Sequence, residues 1–404
     1  MKRQRVVVTG LGVVSSIGIG WKAFWEALLA GKSGIRPIRY IDTSAYPTHV
    51  GGEVQDFKPE KFIEREKLSY YGRGAQFAVS AAKMALEDAE LPRKDLDQVR
   101  VGVALGTTMA DIEELETVNS AWVSQGEAEV SGESFLRYPA CSLSASLSHY
   151  FGFLGPNIMI PTACAAGNYA ISYATDLLRA SRADVMLAGG VDPFSRIAFT
   201  GFNRLFALAP EMCQPFDKNR QGTLIGEGAG VLLLERFEDA KARGAAIYAE
   251  VLGYGLSCDG YHMTIPQQEG VERVMRNALQ AAGIEPKDVD YISAHGTGTP
   301  ANDKTECAAI RSVFGSHTDH MPISSIKSML GHTMGAASAL EAVACVLAIH
   351  SNEIPPTINH EEDDPDCAVD CVPNRSRHHT TRVVLNNSFA FGGNNASVAL
   401  AVVS

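Results

Sequence analysis

Ile158-Met159-Ile160-Pro161-Thr162-Ala163-Cys164-Ala165-Ala166-Gly167 runs from an apolar strand into small residues whose helical spacing continues to Arg179. A strand that turns and feeds a helix is the repeating unit of α/β folds. The unit recurs on both sides of this stretch. Before it, Val6–Gly10 and Val101–Leu105 read as strands, and Lys22–Ala30 and Gly74–Ala89 as helices. After it come strands at Asp184–Gly190, Val231–Glu235, Val289–Ala294 and Arg382–Asn386, with helices over Gly270–Ala282 and Ala336–Ile349. The class is therefore α/β, with helices packed on sheets. A charged helix end meets a glycine at Lys241-Ala242-Arg243-Gly244, and a new strand starts at Tyr248. This divides the chain into halves of 1–245 and 246–404. No Pro/Ser-rich linker separates them, which argues against independent motion.

The 404 residues, 46% apolar and 20% charged, have ordinary globular composition and enough length for a large core. Lys+Arg minus Asp+Glu is 35 − 46 = −11. That balance argues against nucleic-acid binding, which needs a basic face, but leaves room for one small basic patch. No uninterrupted apolar run reaches the roughly 18–20 residues of a membrane span. The start Met1-Lys2-Arg3-Gln4-Arg5 is basic, yet Val6–Gly10 is too short and glycine-broken for a signal peptide. The expected compartment is the cytoplasm. Eight cysteines between Cys141 and Cys371 form no C-x-x-C pair, so free thiols are expected and no metal site.

Gly10-Leu11-Gly12 follows a strand, but the next glycine is Gly18 and no acidic residue stands where a ribose would need one. A plain turn is the better reading than a dinucleotide site. Gly226-Glu227-Gly228-Ala229-Gly230 lacks the Lys-Ser/Thr of a phosphate loop and reads as a turn entering a strand. Cys164 differs from the other thiols because it begins a helix, where free N–H groups and the dipole favour a thiolate. A buried structural thiol is the plain alternative. His295, in Ala294-His295-Gly296-Thr297-Gly298-Thr299-Pro300, and His332, in Lys327-Ser328-Met329-Leu330-Gly331-His332, occupy glycine-rich turns at strand ends. Active-site residues of α/β folds gather at such places. Either histidine alone reads as a core or cap residue; two such turns with the cysteine point to chemistry. His262 reads as structural or substrate-lining, and His378 and His379 as solvent-facing in a polar loop. The run Asn386–Asn395 reads as a turn joining two strands, or as a loop whose N–H groups face a site and whose Phe rings close a channel.

These four motifs, ending with Phe391-Gly392-Gly393-Asn394-Asn395, together resemble the elongating β-ketoacyl-acyl-carrier-protein synthases of the thiolase superfamily. The resemblance covers essentially the whole chain. It implies a thiolase fold, five layers αβαβα built from two similar halves, in an obligate dimer. It implies decarboxylative condensation of a Cys164-bound acyl chain with a malonyl unit, giving a 3-oxoacyl thioester two carbons longer. On this resemblance the N–H groups of Cys164 and Phe391 form the oxyanion hole, and His295 and His332 hold the malonyl carbonyl. Lys327 supports the histidines, with Glu306 and Glu341 anchoring the network. Thr297 and Thr299 bind the phosphopantetheine arm, Phe389 and Phe391 gate the site, and Met109 and Phe202 line the substrate pocket. No cofactor is implied; substrates ride on the phosphopantetheine of acyl-carrier protein. That carrier is acidic, so Lys61, Arg65, Lys67 and Arg73 are its expected docking patch.

Where the family loop usually reads Gly-Phe-Gly-Gly-Thr, this chain has Ala390 and Asn394, and a Cβ at Ala390 should stiffen the gate wherever a glycine conformation is used. Pro322–Lys327, Val346–Ile349, Pro355-Pro356-Thr357 and Asp364–Cys367 look as much like a ketosynthase subunit of dissociated polyketide systems, which pairs with a cysteine-less chain-length factor. The pathway, polyketide or polyene against fatty acid, and the dimer, homodimer or heterodimer, stay open here. A degradative thiolase would need a second catalytic cysteine near the C-terminus, whereas the last one here is Cys371. A chain-length factor would lack Cys164, and a priming synthase would carry Asn in place of His332.

Overall fold

A computed structural model describes residues 4–91, 99–126 and 132–403; the basic start Met1–Arg3 lies outside them. Ten strands, β1 to β10, make the main path of one sheet. The first half supplies Val6–Ser15, Val101–Gly106, Asn157–Ile160, Val185–Asp192 and Gly228–Arg236, β1 to β5. The second supplies Ala249–Cys258, Tyr291–Ser293, Ile323–Ser324, Val383–Phe389 and Asn394–Ala401, β6 to β10. Their spatial order is β8-β7-β9-β10-β6-β1-β5-β4-β2-β3. Read from its outer edge inward, each half has the same order, third, second, fourth, fifth, first. The strand senses match too: two parallel pairings, then two antiparallel ones. The halves meet where β1 pairs antiparallel with β6, Val7 opposite Glu250.

The helices of nine or more described residues are Trp21–Leu29, Arg73–Asp88, Ile112–Gln125, Cys141–Phe151, Ala166–Arg179, Arg196–Arg204, Gln268–Ala282, Pro300–Phe314 and Ala337–Ser351, α1 to α9. Three large apolar clusters sort them into layers. The central one joins α5 and α9 to strands of both halves. A second places α2 and α4 on the outer face of the first half, and a third places α7 and α8 on the outer face of the second. The result is the five-layer αβαβα thiolase fold. α9 explains its own position: Ala337 to Ile349 are all buried, and a helix apolar all round belongs in a core.

One sequence expectation fails here. Gly10-Leu11-Gly12 is not a turn; β1 runs straight through it to Ser15. A Cβ on Gly10 would come within 2.2 Å of the Ala85 carbonyl, and one on Gly12 within 1.8 Å of the Ala81 carbonyl. The glycines are there so that α2 can lie directly on the strand, not to bend the chain.

Candidate active site

β3 ends in a single 3-10 turn, Ala163–Ala165, that leads into α5. Ala163 adopts φ +52, uncommon for a residue with a Cβ, and the sharp turn aims Cys164 away from the strand. From the second half, β7 delivers His295 two residues past its end, the turn after Lys327–Leu330 delivers His332, and β9 ends at Phe389. All four side chains line one pocket of about 570 Å³, with Phe202, His262, Met263, Ile265, Thr297, Thr299 and Phe391 also in its wall. Cys164 is brought against residues more than 120 positions further along the chain.

His332 Nε2 lies 3.0 Å from Cys164 Sγ. Its Nδ1 accepts the Met334 N–H at 3.2 Å, so Nε2 carries the ring proton and acts as donor. His295 has the same polarity: the Lys327 ammonium stands 3.4 Å from its Nδ1 and donates to its carbonyl at 2.6 Å. Burial, then the Lys327 charge, hold both imidazoles well below their ordinary pKa of 6.5, so both are neutral at pH 7. The sulfur and the nearest histidine nitrogens lie within 4.8 Å of one another, a spacing a metal ion could use. The tautomers point elsewhere, because Nε2 offers hydrogen where a ligand must offer a lone pair.

Burial pushes the Cys164 thiol up to about 11, although Lys327 and the backbone N–H groups of Phe391 and Cys164 itself oppose the rise. This corrects the expectation that the helix start makes a thiolate: removal from water outweighs the local dipole. Both of these N–H groups bear on the sulfur.

Buried carboxylates hold the loops. Glu306 accepts from the N–H groups of His295 and Gly296, both at 2.8 Å, and burial raises it to about 7. Glu341 forms the ion pair of Lys327, and both side chains are buried. Sequence reasoning missed two further anchors. Asp303 accepts the Thr297 and Gly298 N–H groups at 3.1 and 3.2 Å. Asp192, at the end of β4, accepts from Thr107 Oγ1 and from the N–H groups of Thr108, Met109, Ala110 and Gly335. The available signals were an acid in the first turn after Thr299-Pro300 and an acid ending an apolar strand.

Thr297 and Thr299 share a hydroxyl hydrogen bond of 2.8 Å on the pocket wall. Phe391 stacks on Phe202 at 5.4 Å, while Phe389 is buried against His295. The two phenylalanines are thus unequal: Phe389 is fixed in a strand and only Phe391 stands at the opening. Met109 lies outside the pocket wall, in an apolar cluster behind Phe202 that includes Phe194, Phe199 and Met334. Ala390 sits at φ −104, ψ 152, an extended conformation open to any residue, so the expected stiffening by its Cβ has no basis. The turn's positive φ angles fall on Gly392 and Gly393.

The basic cluster comes apart. Lys61 and Arg65 are exposed, but Lys67 faces Glu64 and lies over Tyr150. Arg73 turns inward and forks onto Glu227 at 2.8 and 2.6 Å, so it is corrected from a docking residue to a structural one. Glu227 also accepts the N–H groups of Val54 and Phe194. His262 lines the pocket mouth and its Nδ1 accepts from Thr264 and Ile265. His378 is exposed in a two-residue strand, but His379 is half-buried, 3.1 Å from the Asp290 carbonyl, and is not solvent-facing as expected. All eight cysteines are free thiols.

A buried thiol, neutral imidazoles and backbone N–H donors share one pocket on a thiolase fold, the arrangement of a condensing acyltransferase. Residues 3–240 match the β-ketoacyl synthase N-terminal domain, and residues 248–361 its C-terminal domain. The chain is 42% identical to the 3-oxoacyl-[acyl-carrier-protein] synthase 2 of Coxiella burnetii (strain RSA 493 / Nine Mile phase I), with both chains covered completely. Among solved structures it resembles the ishigamide ketosynthase/chain length factor, at 47% identity and TM-score 0.96 over 100% of each chain. It also resembles a type II polyketide acyl-carrier protein in complex with its ketosynthase bound to the hexaketide, at 36% identity and TM-score 0.91 over 100% of each chain. The protein belongs to the β-ketoacyl synthase family. It is an enzyme that extends an acyl chain by Claisen condensation with malonyl-acyl-carrier protein, in fatty-acid or polyketide synthesis.

Proposed function

We propose that Cys164 is the acyl acceptor and that His295 and His332 act as hydrogen-bond donors, not as bases. In the first half-reaction the sulfur attacks the carrier thioester. The tetrahedral oxyanion takes the N–H groups of Cys164 and Phe391, and collapse releases the pantetheine thiol, which leaves with the proton the cysteine gave up. In the second, malonyl thioester places its carbonyl oxygen between the two Nε2–H groups. Carbon dioxide departs, the bonding pair becomes the enolate, and the imidazoles stabilise it while carrying no positive charge to retain the carboxylate. The enolate carbon then attacks the acyl-cysteine, the same two N–H groups take the oxyanion, and the Cys164 thiolate is expelled. Thr297 and Thr299 hold the arm, and the Lys327–Glu341 pair keeps His295 in its tautomer.

The observation that carries this reading is the acceptor role of both Nδ1 atoms, which makes each Nε2 a donor, that of His332 3.0 Å from Cys164 Sγ. Cys164→Ala should show no acyl adduct by intact-protein mass spectrometry and no condensation; retained condensation ends the assignment.

For pathway, the favoured reading is the catalytic ketosynthase of a polyketide or polyene system, cytoplasmic, beside a cysteine-less partner. The likeness to the ishigamide ketosynthase/chain length factor supports it. Homodimeric fatty-acid elongation is the second reading, supported by the relative from Coxiella burnetii. Mass measurement of the complex co-purified with its neighbouring gene products separates them. A heterodimer loaded with polyenoyl or polyketo chains supports the first, and a homodimer loaded with saturated chains of many lengths the second.

A further inference from the structure

We propose that Ser388 is a positioning residue for the reaction: it holds the Cys164 elbow at the separation from Phe391 that their two N–H donors need. The inference rests on the reading that those N–H groups take the oxyanion in acylation and condensation.

The elbow does not hold itself. Ala163 stands at φ +52, a conformation that a Cβ disfavours, and only one 3-10 turn separates it from α5. A backbone angle of that kind persists only where neighbouring groups fix it. In a regular helix the Cys164 carbonyl would accept the N–H of Asn168, four residues on. Here the Asn168 N–H donates to Ser338 Oγ at 3.1 Å, and Ser388 Oγ donates to the Cys164 carbonyl at 2.9 Å. The bond comes from the other half of the chain. Ser388 lies fully buried in β9, opposite Ala396 of β10.

Asn386, two residues earlier and so on the same face of β9, grips the next turn of α5. Its Nδ2 donates to Asn168 Oδ1 at 2.9 Å and to the Ser338 carbonyl at 2.8 Å, and its own carbonyl accepts Asn168 Nδ2 at 3.0 Å. These bonds keep α5 against β9 independently of Ser388. Ser388 differs from Asn386 in bonding Cys164 itself. Three residues further on, the same chain has entered the turn Phe391–Gly393 and supplies the Phe391 N–H. One short stretch therefore carries the second donor and grips the residue that carries the first. A single hydroxyl sets the distance between them.

The test uses the full chain with any co-purifying partner. Ser388→Ala should lower the single-turnover rate of Cys164 acylation by a pantetheine thioester about tenfold, less than outright removal of an oxyanion donor costs, with KM unchanged. Two other reactions of the pocket build no oxyanion at those N–H groups and should stay within about twofold. They are alkylation of Cys164 by iodoacetamide and decarboxylation of a malonyl thioester. Ser388→Cys keeps a weaker donor and should fall between wild type and alanine. Unchanged acylation in both variants overturns the proposal. An equal loss in all three reactions also overturns it, by reducing Ser388 to a packing residue. So does alkylation that falls with acylation, which places the effect on the thiol, and so does a rise in KM alone. Phe391→Pro, compared with Phe391→Ala, deletes the second donor and separates the two failures. Equal acylation in that pair would refute the oxyanion reading itself, whereas a loss there with none in Ser388→Ala overturns only the positioning role.

Discussion

At the end of β3 the chain turns through Ala163, at φ +52, enters α5 and presents Cys164; after β8 it turns through Met334, also at φ +52, enters α9 and presents Gly335. The two elbows hold equivalent places in halves of the same strand order. Only one of them opens on the pocket. A Cβ on Gly335 would lie 2.5 Å from the backbone of Thr107, and its N–H donates to Asp192 of the first half. The second elbow is therefore part of the seam between halves, and it has no room for a nucleophile. Each half also sets a cation on a buried carboxylate. Arg73–Glu227 in the first bonds backbone groups and lies beside the Phe77 ring, whereas Lys327–Glu341 in the second touches His295. The same architectural plan thus places the pocket's thiol in one half and its two imidazoles in the other.

The largest expected effect comes from the pair beside the histidines. Lys327→Met removes the donor that fixes His295 and the charge that, after burial, holds both imidazoles neutral. Malonyl decarboxylation should fall by about 10²–10³-fold at neutral pH. The sign of the pH effect follows from the depressed pKa values. In the wild type the imidazoles stay neutral well below pH 6.5, so the acid limb of the rate profile lies low. Without the lysine charge it should move up toward 6.5. Acylation of Cys164 should suffer far less. An unmoved acid limb would mean that Lys327 only props the loop.

Breaking the other pair should do the reverse. Arg73→Met leaves Glu227 buried without its cation and should cost about 3 kcal/mol of stability by denaturant titration. Cys164 acylation and carrier KM should hold in the protein that remains folded. A raised carrier KM at unchanged stability would restore Arg73 to the docking surface.

Gly335→Ala sharpens the comparison of elbows directly. A methyl group there must move the Thr107 backbone or the elbow itself, so a loss of about 1–3 kcal/mol is expected, read as a lower thermal midpoint. Full stability would show that the seam yields and that the second elbow could accommodate a side chain.

The cluster of Cys164, His295 and His332 was readable because each residue stands in a short motif of small residues. The double plan came only through the family resemblance, since it lives in strand order and no short repeat marks it in the sequence. The anchors were hidden for a related reason. Asp192 and Glu227 end or precede apolar strands, and their partners are N–H groups from distant loops that leave no mark on local composition. Arg73 shows the converse: it belongs to a basic segment by sequence, yet its side chain points to a carboxylate 154 residues away. Gly10 and Gly12 look like a turn because the helix they make room for lies 70 residues further on. The Cys164 thiol was misjudged because a helix start is visible in sequence and desolvation is not.

The smallest effect should come from the gate loop, where sequence suggested a large one. Ala390 adopts an extended backbone, and the left-handed angles of the turn sit on Gly392 and Gly393. Ala390→Gly therefore relieves no strain in the folded protein. It adds freedom to the unfolded chain and should lower stability by about 0.4–1 kcal/mol. Single-turnover rates of acylation and condensation should stay within about twofold, a change of under half a kcal/mol in barrier. A gain of tenfold or more in either step would show that the loop must pass through a glycine-only conformation when Phe391 swings from Phe202, and that the closed geometry alone does not set the gate.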